Sequence, residues 1–278
     1  MPELPEVETT LRGIAPHVID RTILECVFRT TKLRWLLDPA LCHHLPGQKI
    51  NKVERRAKYL LLSCDRGTII LHLGMSGNLR IVPAGTTEQK HDHVDLIFTD
   101  GQCLRLTDPR KFGAFIYTDT DPYSHKLLHK LGPEPLTDVF NGDYLYAMAK
   151  GKKQSIKPFI MDQKTVVGVG NIYASEALFR AGIRPDRAAG RVGVERYKNL
   201  TRAIKEILTE AITAGGTTIN DFSQADGKPG YFTQQLQVYS RSGEPCMICG
   251  QPIHNQRLGQ RLSLIHISEP TRLLSISY

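Results

Sequence analysis

Apolar and polar positions along the first 118 residues predict one helix followed by a series of strands. Val7, Leu11 and Ile14 share one face of a helix, which favours a helix over residues 5–15. Beyond it, short strand-like runs are separated by turn signals such as the Asp-Gly pair at positions 100–101. The predicted strands are residues 19–28, 52–64, 68–73, 78–82, 94–99, 103–107 and 114–118. Seven short strands at this spacing are typical of a β-sandwich or a barrel.

The pattern changes to a helical period after residue 131. Helices are predicted at residues 155–161, 172–181 and 194–214, with Asn171 as a cap for the second and Gly215 as a stop for the third. Residues 215–235 are rich in Gly, Thr, Asp and Gln and predict a long loop. A short strand at 236–239 is expected before a terminal cysteine pair. The chain thus divides into a β domain, a helical domain and a small terminal module.

Length and charge narrow the class of protein. The 278 residues suggest about two domains, and 36 Lys+Arg against 28 Asp+Glu give a net charge of +8. Residues 150–187 hold eight Lys and Arg against three Asp and Glu, which fits a cationic face for a phosphate backbone and, equally well, a set of solvated side chains on helix surfaces. No apolar run approaches the ~20 residues of a membrane span, and the acidic, proline-rich N-terminus is unlike a secretory signal. A cytoplasmic protein is expected.

Two of the six cysteines carry a motif. Cys246 and Cys249 form a C-x-x-C next to Gly250, which is the spacing of a zinc knuckle. The other four are scattered through apolar stretches and are expected to be reduced core thiols: Cys26, Cys42, Cys64 and Cys103.

The N-terminus offers an unusual nucleophile. Removal of Met1 before a small second residue would leave Pro2 with a free secondary amine, and an α-amino group titrates near pH ~7.7–8.0. Its attack on an aldehyde-like carbon gives an iminium, and the adjacent carboxylate of Glu3 could shuttle protons. The alternative is a plain helix start, in which acidic residues complement the helix dipole.

Six segments appear together and in order: MPELPEVE at 1–8, RRAKYLL at 55–61, HLGMSG at 72–77, TDPRKFG at 107–113, GVGNIYA at 168–174 and DGKPGYF at 226–232. In this combination the chain closely resembles the formamidopyrimidine-DNA glycosylases, bacterial base-excision repair enzymes for oxidised purines, up to about residue 261. The resemblance implies an α+β multi-domain fold. Its parts are an N-terminal β-sandwich with a leading helix (1–131), a helix-two-turns-helix domain (132–235), a partial zinc finger (236–261) and a non-family tail (262–278).

The resemblance also assigns the chemistry. Pro2 matches the nucleophile and Glu3 the acid/base that assists base loss and ring opening. Lys58 matches a strand lysine that contacts phosphate and serves in β-elimination; a phosphate contact alone is the simpler alternative. Arg261 matches the finger arginine that contacts DNA and is linked to δ-elimination.

The resemblance implies a second set of residues that handle the duplex. Met75, Arg110 and Phe112 match a wedge that fills the gap left by an extruded base, although Met75 and Phe112 taken singly would be core residues. Phosphate contacts are implied for His91, Arg110, Lys152 and Asn171, with Lys157 near the damaged base or its phosphate. Residues 215–232 match a lid over that base.

The chain departs from the family pattern at its C-terminus. The family carries a second C-x-x-C and one zinc per monomer, but residues 262–278 contain no cysteine. His254 and His266 could in principle complete a Cys₂His₂ set. We therefore expect that the Cys₄ zinc site does not form, and that Arg261 lacks the scaffold that would aim it.

The implied function is a monomeric, bifunctional DNA glycosylase and AP lyase that acts on 8-oxoguanine and formamidopyrimidines in double-stranded DNA of the bacterial nucleoid. Two alternatives remain at this point. One is the related endonuclease VIII type, which prefers oxidised pyrimidines. The other is a damaged-DNA-binding protein that has lost catalysis.

Overall fold

The computed structural model describes residues 2–216, 236–258 and 261–265. These residues form two compact units. One contains residues 2–130 and 211–216, and the other contains residues 131–210, 236–258 and 261–265. Among the residues that the structure describes, none of the helices combines the length and the apolar composition that a membrane span requires.

The first unit begins with a helix and continues with strands. Helix α1 starts directly after the N-terminal Pro2-Glu3, where the backbone N–H of Glu3 donates to Glu6 Oε2 at 2.8 Å and so satisfies one end of the helix. The elements of this unit are α1 (Leu4–Val18), β1 (Ile23–Phe28), α2 (Leu41–His44), β2 (Ile50–Arg56), β3 (Tyr59–Cys64), β4 (Gly67–His72), β5 (Asn78–Pro83), β6 (Asp92–Phe98), β7 (Gln102–Thr107) and β8 (Ala114–Thr118).

Eight antiparallel strands form two four-stranded sheets. Their orders are β1-β6-β7-β5 and β2-β3-β4-β8. Buried residues from both sheets and from α1 share one apolar core, which includes Ile14, Leu62, Ile69, Leu96 and Phe98. The predicted β-sandwich with a leading helix is confirmed.

Two strand predictions in this unit were wrong. The first predicted strand begins at Ile23 rather than at residue 19, because α1 extends through Val18 and a turn follows it. The single strand predicted over residues 52–64 is two strands, β2 and β3. The left-handed backbone of Ala57, with φ of 56°, turns the chain back on itself there, and no glycine, proline, asparagine or aspartate marks the turn in the sequence.

The second unit is built from helices. They are α3 (Gly142–Ala149), α4 (Ile156–Met161), α5 (Asn171–Arg180) and α6 (Val194–Thr213). Asn171 was expected to cap α5, but it is the first helical residue and Gly170 precedes it as the cap. Helix α3 was not predicted. It begins where the Asn141 side chain accepts a hydrogen bond from the Tyr144 N–H.

The segment after the predicted long loop is not a strand, contrary to the sequence prediction for residues 236–239. Its backbone instead donates to one buried carboxylate on α5. Glu176 accepts from the N–H groups of Gln237, Val238 and Tyr239 at 2.8–3.0 Å. The Glu176 carboxylate therefore accepts the backbone hydrogen bonds that a neighbouring strand would otherwise accept.

A short hairpin follows the cysteine pair. Strands β9 (His254–Leu258) and β10 (Arg261–Ile265) pair antiparallel, with Arg261 opposite Leu258. Strand β10 includes residues 262–265, which the sequence assigned to the non-family tail.

Candidate active site

The N-terminal residues lie inside the first unit. Pro2 is buried, Glu3 is 3% exposed and Glu6 is fully buried at the start of α1. Pro2 and the carboxylate of Glu3 thus occupy adjacent positions that are both shielded from bulk water. In such a setting the two groups have little water to compete with them.

Hydrogen bonds of Arg55 connect the turn between β2 and β3 with helix α1. Arg55 Nε donates to Glu8 Oε2 at 2.9 Å, and Arg55 Nη1 donates to the carbonyl of Ala57 at 3.0 Å. Lys58 is the second residue of this turn and is buried. One arginine thus ties α1, which begins at the Pro2-Glu3 pair, to the turn that presents Lys58.

His72 lies beside Lys58, and we did not single it out from the sequence. Burial, then the charges of Lys58 and Arg34, lower the pKa of His72 to about 4. Its Nδ1 accepts a hydrogen bond from the Gly74 N–H at 2.9 Å, and its ring lies 4.8 Å from that of Tyr59. The imidazole is therefore neutral at pH 7 and holds the loop that begins at Gly74.

This histidine predicts a loss of stability in mild acid. Its pKa is lower in the folded protein than the unfolded value of 6.5, so the unfolded chain takes up a proton first. The stabilisation is complete above pH 6.5 and is lost as the pH falls towards 4, by about 2 kcal/mol between pH 7 and pH 5. Urea unfolding at both pH values measures it. The His72→Gln variant, which keeps an acceptor for Gly74, should lose less on acidification; an equal loss would contradict the assignment.

The structure brings together the two loops of the predicted wedge. A Cβ added to Gly74, whose φ is 64°, would lie 2.4 Å from the backbone of Phe112, so the loop that carries Met75 touches the loop that carries Phe112. Phe112 is 44% exposed, and the guanidinium of Arg110 stacks over its ring at 5.1 Å. A large exposed aromatic side chain under an arginine is available to contact a base.

The histidine predicted to contact phosphate is in the same unit. His91 is half-buried, and its carbonyl accepts from the N–H of Asp108 at 2.9 Å. Its ring lies 6.3 Å from that of His93. Asp108 opens the loop that carries Arg110, so this segment also adjoins the wedge.

The second unit carries the other predicted contacts in two different settings. Lys152 is exposed, and its carbonyl accepts from the N–H of Gly190 at 2.9 Å. Lys157 is only 1% exposed; its Nζ donates to Ser175 Oγ at 2.8 Å, and Ser175 Oγ donates to the carbonyl of Asn171 at 2.8 Å. Its burial was not predicted from the sequence, because a lysine in a basic stretch is usually solvated.

The cysteine pair forms a turn with one buried thiol. Cys246 is buried against Val238 and Ile253, and its Sγ accepts from the Ile248 N–H at 3.4 Å, whereas Cys249 is exposed. The described residues contain no group of three or more His, Cys, Asp or Glu side chains that could hold a metal ion. With all six cysteines accounted for, the donor set does not fit a closed four-thiolate zinc site.

Three predictions fall where the structure gives little or no description. Most of the predicted lid, residues 217–232, lies outside the described residues. So does His266. Arg261 is described only as the first residue of β10.

Known protein families match most of the chain. Residues 1–115 match the formamidopyrimidine-DNA glycosylase N-terminal domain, and residues 131–223 match the H2TH domain of the same enzymes. A curated formamidopyrimidine-DNA glycosylase of Idiomarina loihiensis is 56% identical over 261 residues, covering 94% of this chain and 96% of the relative.

Solved structures agree with the sequence relatives. A mutant of the Lactococcus lactis Fpg protein bound to DNA that contains Fapy-dG superposes with a TM-score of 0.87 at 33% identity, covering 95% of this chain and 97% of that one. A MutM protein bound to DNA that contains carbocyclic 8-oxo-G gives a TM-score of 0.87 at 32% identity, with coverage of 95% and 97%.

Proposed function

Since this chain belongs to the formamidopyrimidine-DNA glycosylase family, we propose that Pro2 is the nucleophile with which it excises oxidised purines and then cleaves the abasic site. The protein is a bifunctional DNA glycosylase and AP lyase. The observation that carries the residue assignment is the buried Pro2-Glu3 pair at the start of α1. Both residues occupy the place that the family motif gives to the chemistry.

The proposed reaction begins at the sugar of an extruded nucleotide. The neutral amine of Pro2 attacks C1′ and the bond from C1′ to the base breaks, while Glu3 supplies a proton to the departing base. The Glu3 carboxylate then takes the proton of the attacking nitrogen and passes it to the ring oxygen, so that the bond from C1′ to the ring oxygen breaks and an iminium forms. The iminium withdraws electrons, so loss of a C2′ proton expels the 3′-phosphate. Loss of a C4′ proton in a second elimination expels the 5′-phosphate.

Lys58 is proposed to assist these eliminations and to contact a phosphate next to the lesion. The support is its place on the turn that Arg55 fastens to α1. The wedge residues Met75, Arg110 and Phe112 are proposed to fill the stack after base extrusion, supported by the contact between their loops.

Backbone contacts are proposed for His91, Lys152 and Asn171, and Lys157 is proposed to act near the damaged base. Asn171 begins α5, and the dipole of a helix favours an anion at its N-terminus. The hydrogen bonds that join Lys157, Ser175 and Asn171 place the buried lysine next to that helix start. We propose the domain limits 1–131, 132–235 and 236–261 for the three family parts.

Lys152 provides a test of the phosphate contacts. Replacing it with Ala should weaken binding to damaged and undamaged duplex equally and reduce the salt dependence by roughly one phosphate. Lys198→Ala is the matched control, because its ammonium already pairs with Glu195 at 2.8 Å and should not alter the salt slope. Binding titrations at several salt concentrations measure both, and a loss confined to damaged DNA would show that Lys152 reads the lesion.

The lesion class is tested by comparing excision from duplexes with 8-oxoguanine and with thymine glycol. Excision of the purine lesion is expected to be faster, and the complexes of related proteins with Fapy-dG and 8-oxo-G favour that outcome. A preference for thymine glycol would support the endonuclease VIII type. Binding without excision of either lesion would support the non-catalytic alternative.

The zinc site is proposed to be incomplete in this chain, although family members usually bind zinc. A structural zinc needs four protein ligands, and the chain supplies two thiols there. Metal analysis of the purified protein should therefore give much less than one zinc per molecule. One tightly held zinc per molecule would refute this prediction.

We further propose that the enzyme works as a monomer on nucleoid DNA in the bacterial cytoplasm.

A further inference from the structure

A buried carboxylate joins the two loops of the wedge. Asp108 is 0% exposed, and each of its oxygens accepts a hydrogen bond from a different loop. Ser76 Oγ donates to Oδ1 at 2.9 Å, and the Gly113 N–H donates to Oδ2 at 2.7 Å. Ser76 adjoins Met75 and Gly113 adjoins Phe112, so a single side chain holds both apolar members of the wedge.

The same network reaches the cationic member of the wedge. The N–H of Arg110 donates to Ser76 Oγ at 3.2 Å, so the Ser76 hydroxyl accepts from the backbone of the Asp108 loop and donates to the carboxylate of the same loop. The Asp108 carbonyl also lies 3.1 Å from His93 Nε2, and the Asp108 N–H donates to the His91 carbonyl at 2.9 Å. These bonds fix the base of the loop.

Close packing makes this arrangement specific. A Cβ at Gly113 would lie 2.9 Å from Asp108 Oδ2, so glycine lets the backbone N–H reach the carboxylate. Charge-assisted hydrogen bonds in a buried setting are stronger than neutral ones, and a buried carboxylate that loses a donor pays a desolvation penalty. Both loops are therefore held in one arrangement before any ligand arrives.

We propose that Asp108 is a positioning residue that preorganises Met75, Arg110 and Phe112 for insertion into the base stack. Asp108 is fully buried and acts through the residues that it holds. The inference rests on the proposed function of the wedge. A preorganised wedge lowers the free energy of opening a stacked pair, and it gives no such advantage when the lesion is already unpaired.

The Asp108→Asn variant tests this proposal. The single oxygen of its amide can accept only one of the two hydrogen bonds that the carboxylate accepts, and its NH₂ group then faces the other donor. Losing a buried hydrogen bond of this kind predicts that excision of 8-oxoguanine from a paired duplex falls by about 10- to 100-fold relative to the wild type. Excision of the same lesion within an unpaired bubble should fall by less than about threefold. Fluorescence of a 2-aminopurine next to the lesion should report slower unstacking in the duplex.

Asp95→Asn is the matched control, since Asp95 is buried in the same unit and accepts from Arg105 at 2.8 Å, within the strands β6 and β7 and away from the wedge loops. It should reduce both substrates by the same factor. Equal losses on both substrates for Asp108→Asn, or no loss on either, would overturn the proposal. If Asp108→Asn does not fold, Ser76→Ala, which keeps the carboxylate, should give the same duplex-selective loss. Wild-type protein inactive on both substrates would instead refute the proposed function.

Discussion

Changing Glu3 to Gln is expected to abolish base excision while it leaves much of the lyase activity on a pre-formed abasic site. General acid catalysis contributes about 10²- to 10⁴-fold to a rate, and an amide cannot donate the proton that base loss and ring opening require. A pre-formed abasic site has already lost its base, so its cleavage by Pro2 and Lys58 does not require the proton that Glu3 supplies for base loss. Single-turnover assays with an 8-oxoguanine duplex and an abasic duplex separate the two steps.

Glu25→Gln is a suitable control for charge and stability, because Glu25 is exposed on β1. It should leave both activities unchanged. Excision at the wild-type rate by the Glu3→Gln protein would rule out the proposed role of Glu3. An equal loss of both steps would place Glu3 in support of the nucleophile instead.

Blocking the N-terminal amine is expected to remove both activities. One extra glutamine between Met1 and Pro2 should prevent removal of the initiator methionine and convert the Pro2 nitrogen into an amide, which is not a nucleophile. Excision and strand cleavage should then fall below detection. Product analysis on denaturing gels, with intact mass spectrometry to define the N-terminus, measures this outcome.

Pro2→Ala separates the chemistry of the amine from disturbance of the buried N-terminus. Alanine also permits methionine removal and leaves a free primary amine, so this variant should retain measurable strand cleavage. Full activity in the extended protein would show that the nucleophile lies elsewhere.

The β-sandwich could be predicted because the patterns that indicate strands and turns lie within short stretches of the sequence. Alternating apolar runs and turn residues identified most of the strands, and the apolar stripe of α1 identified the helix. The turn that separates β2 from β3 was not predicted, because it depends on a positive φ at Ala57, which alanine rarely adopts. The residues at 236–239 were also misread, since their backbone donors bond to the distant Glu176.

Some of the candidate site residues could be named from the sequence and others could not. The motifs named Pro2, Glu3 and Lys58, because family resemblance carries information that periodicity lacks. His72 and Asp108 came only from the structure. Their importance lies in long-range contacts, which link Asp108 to Ser76 across 32 positions of sequence and expose His72 to the charge of Lys58.

Borohydride trapping on an 8-oxoguanine duplex, followed by proteolysis and mass spectrometry, tests the central claim most directly. Reduction of the iminium should leave the DNA sugar covalently bound to the N-terminal peptide, at the nitrogen of Pro2, in protein that has lost Met1. An adduct on the peptide that contains Lys58, or no adduct at all under conditions where the lesion is excised, would contradict the account.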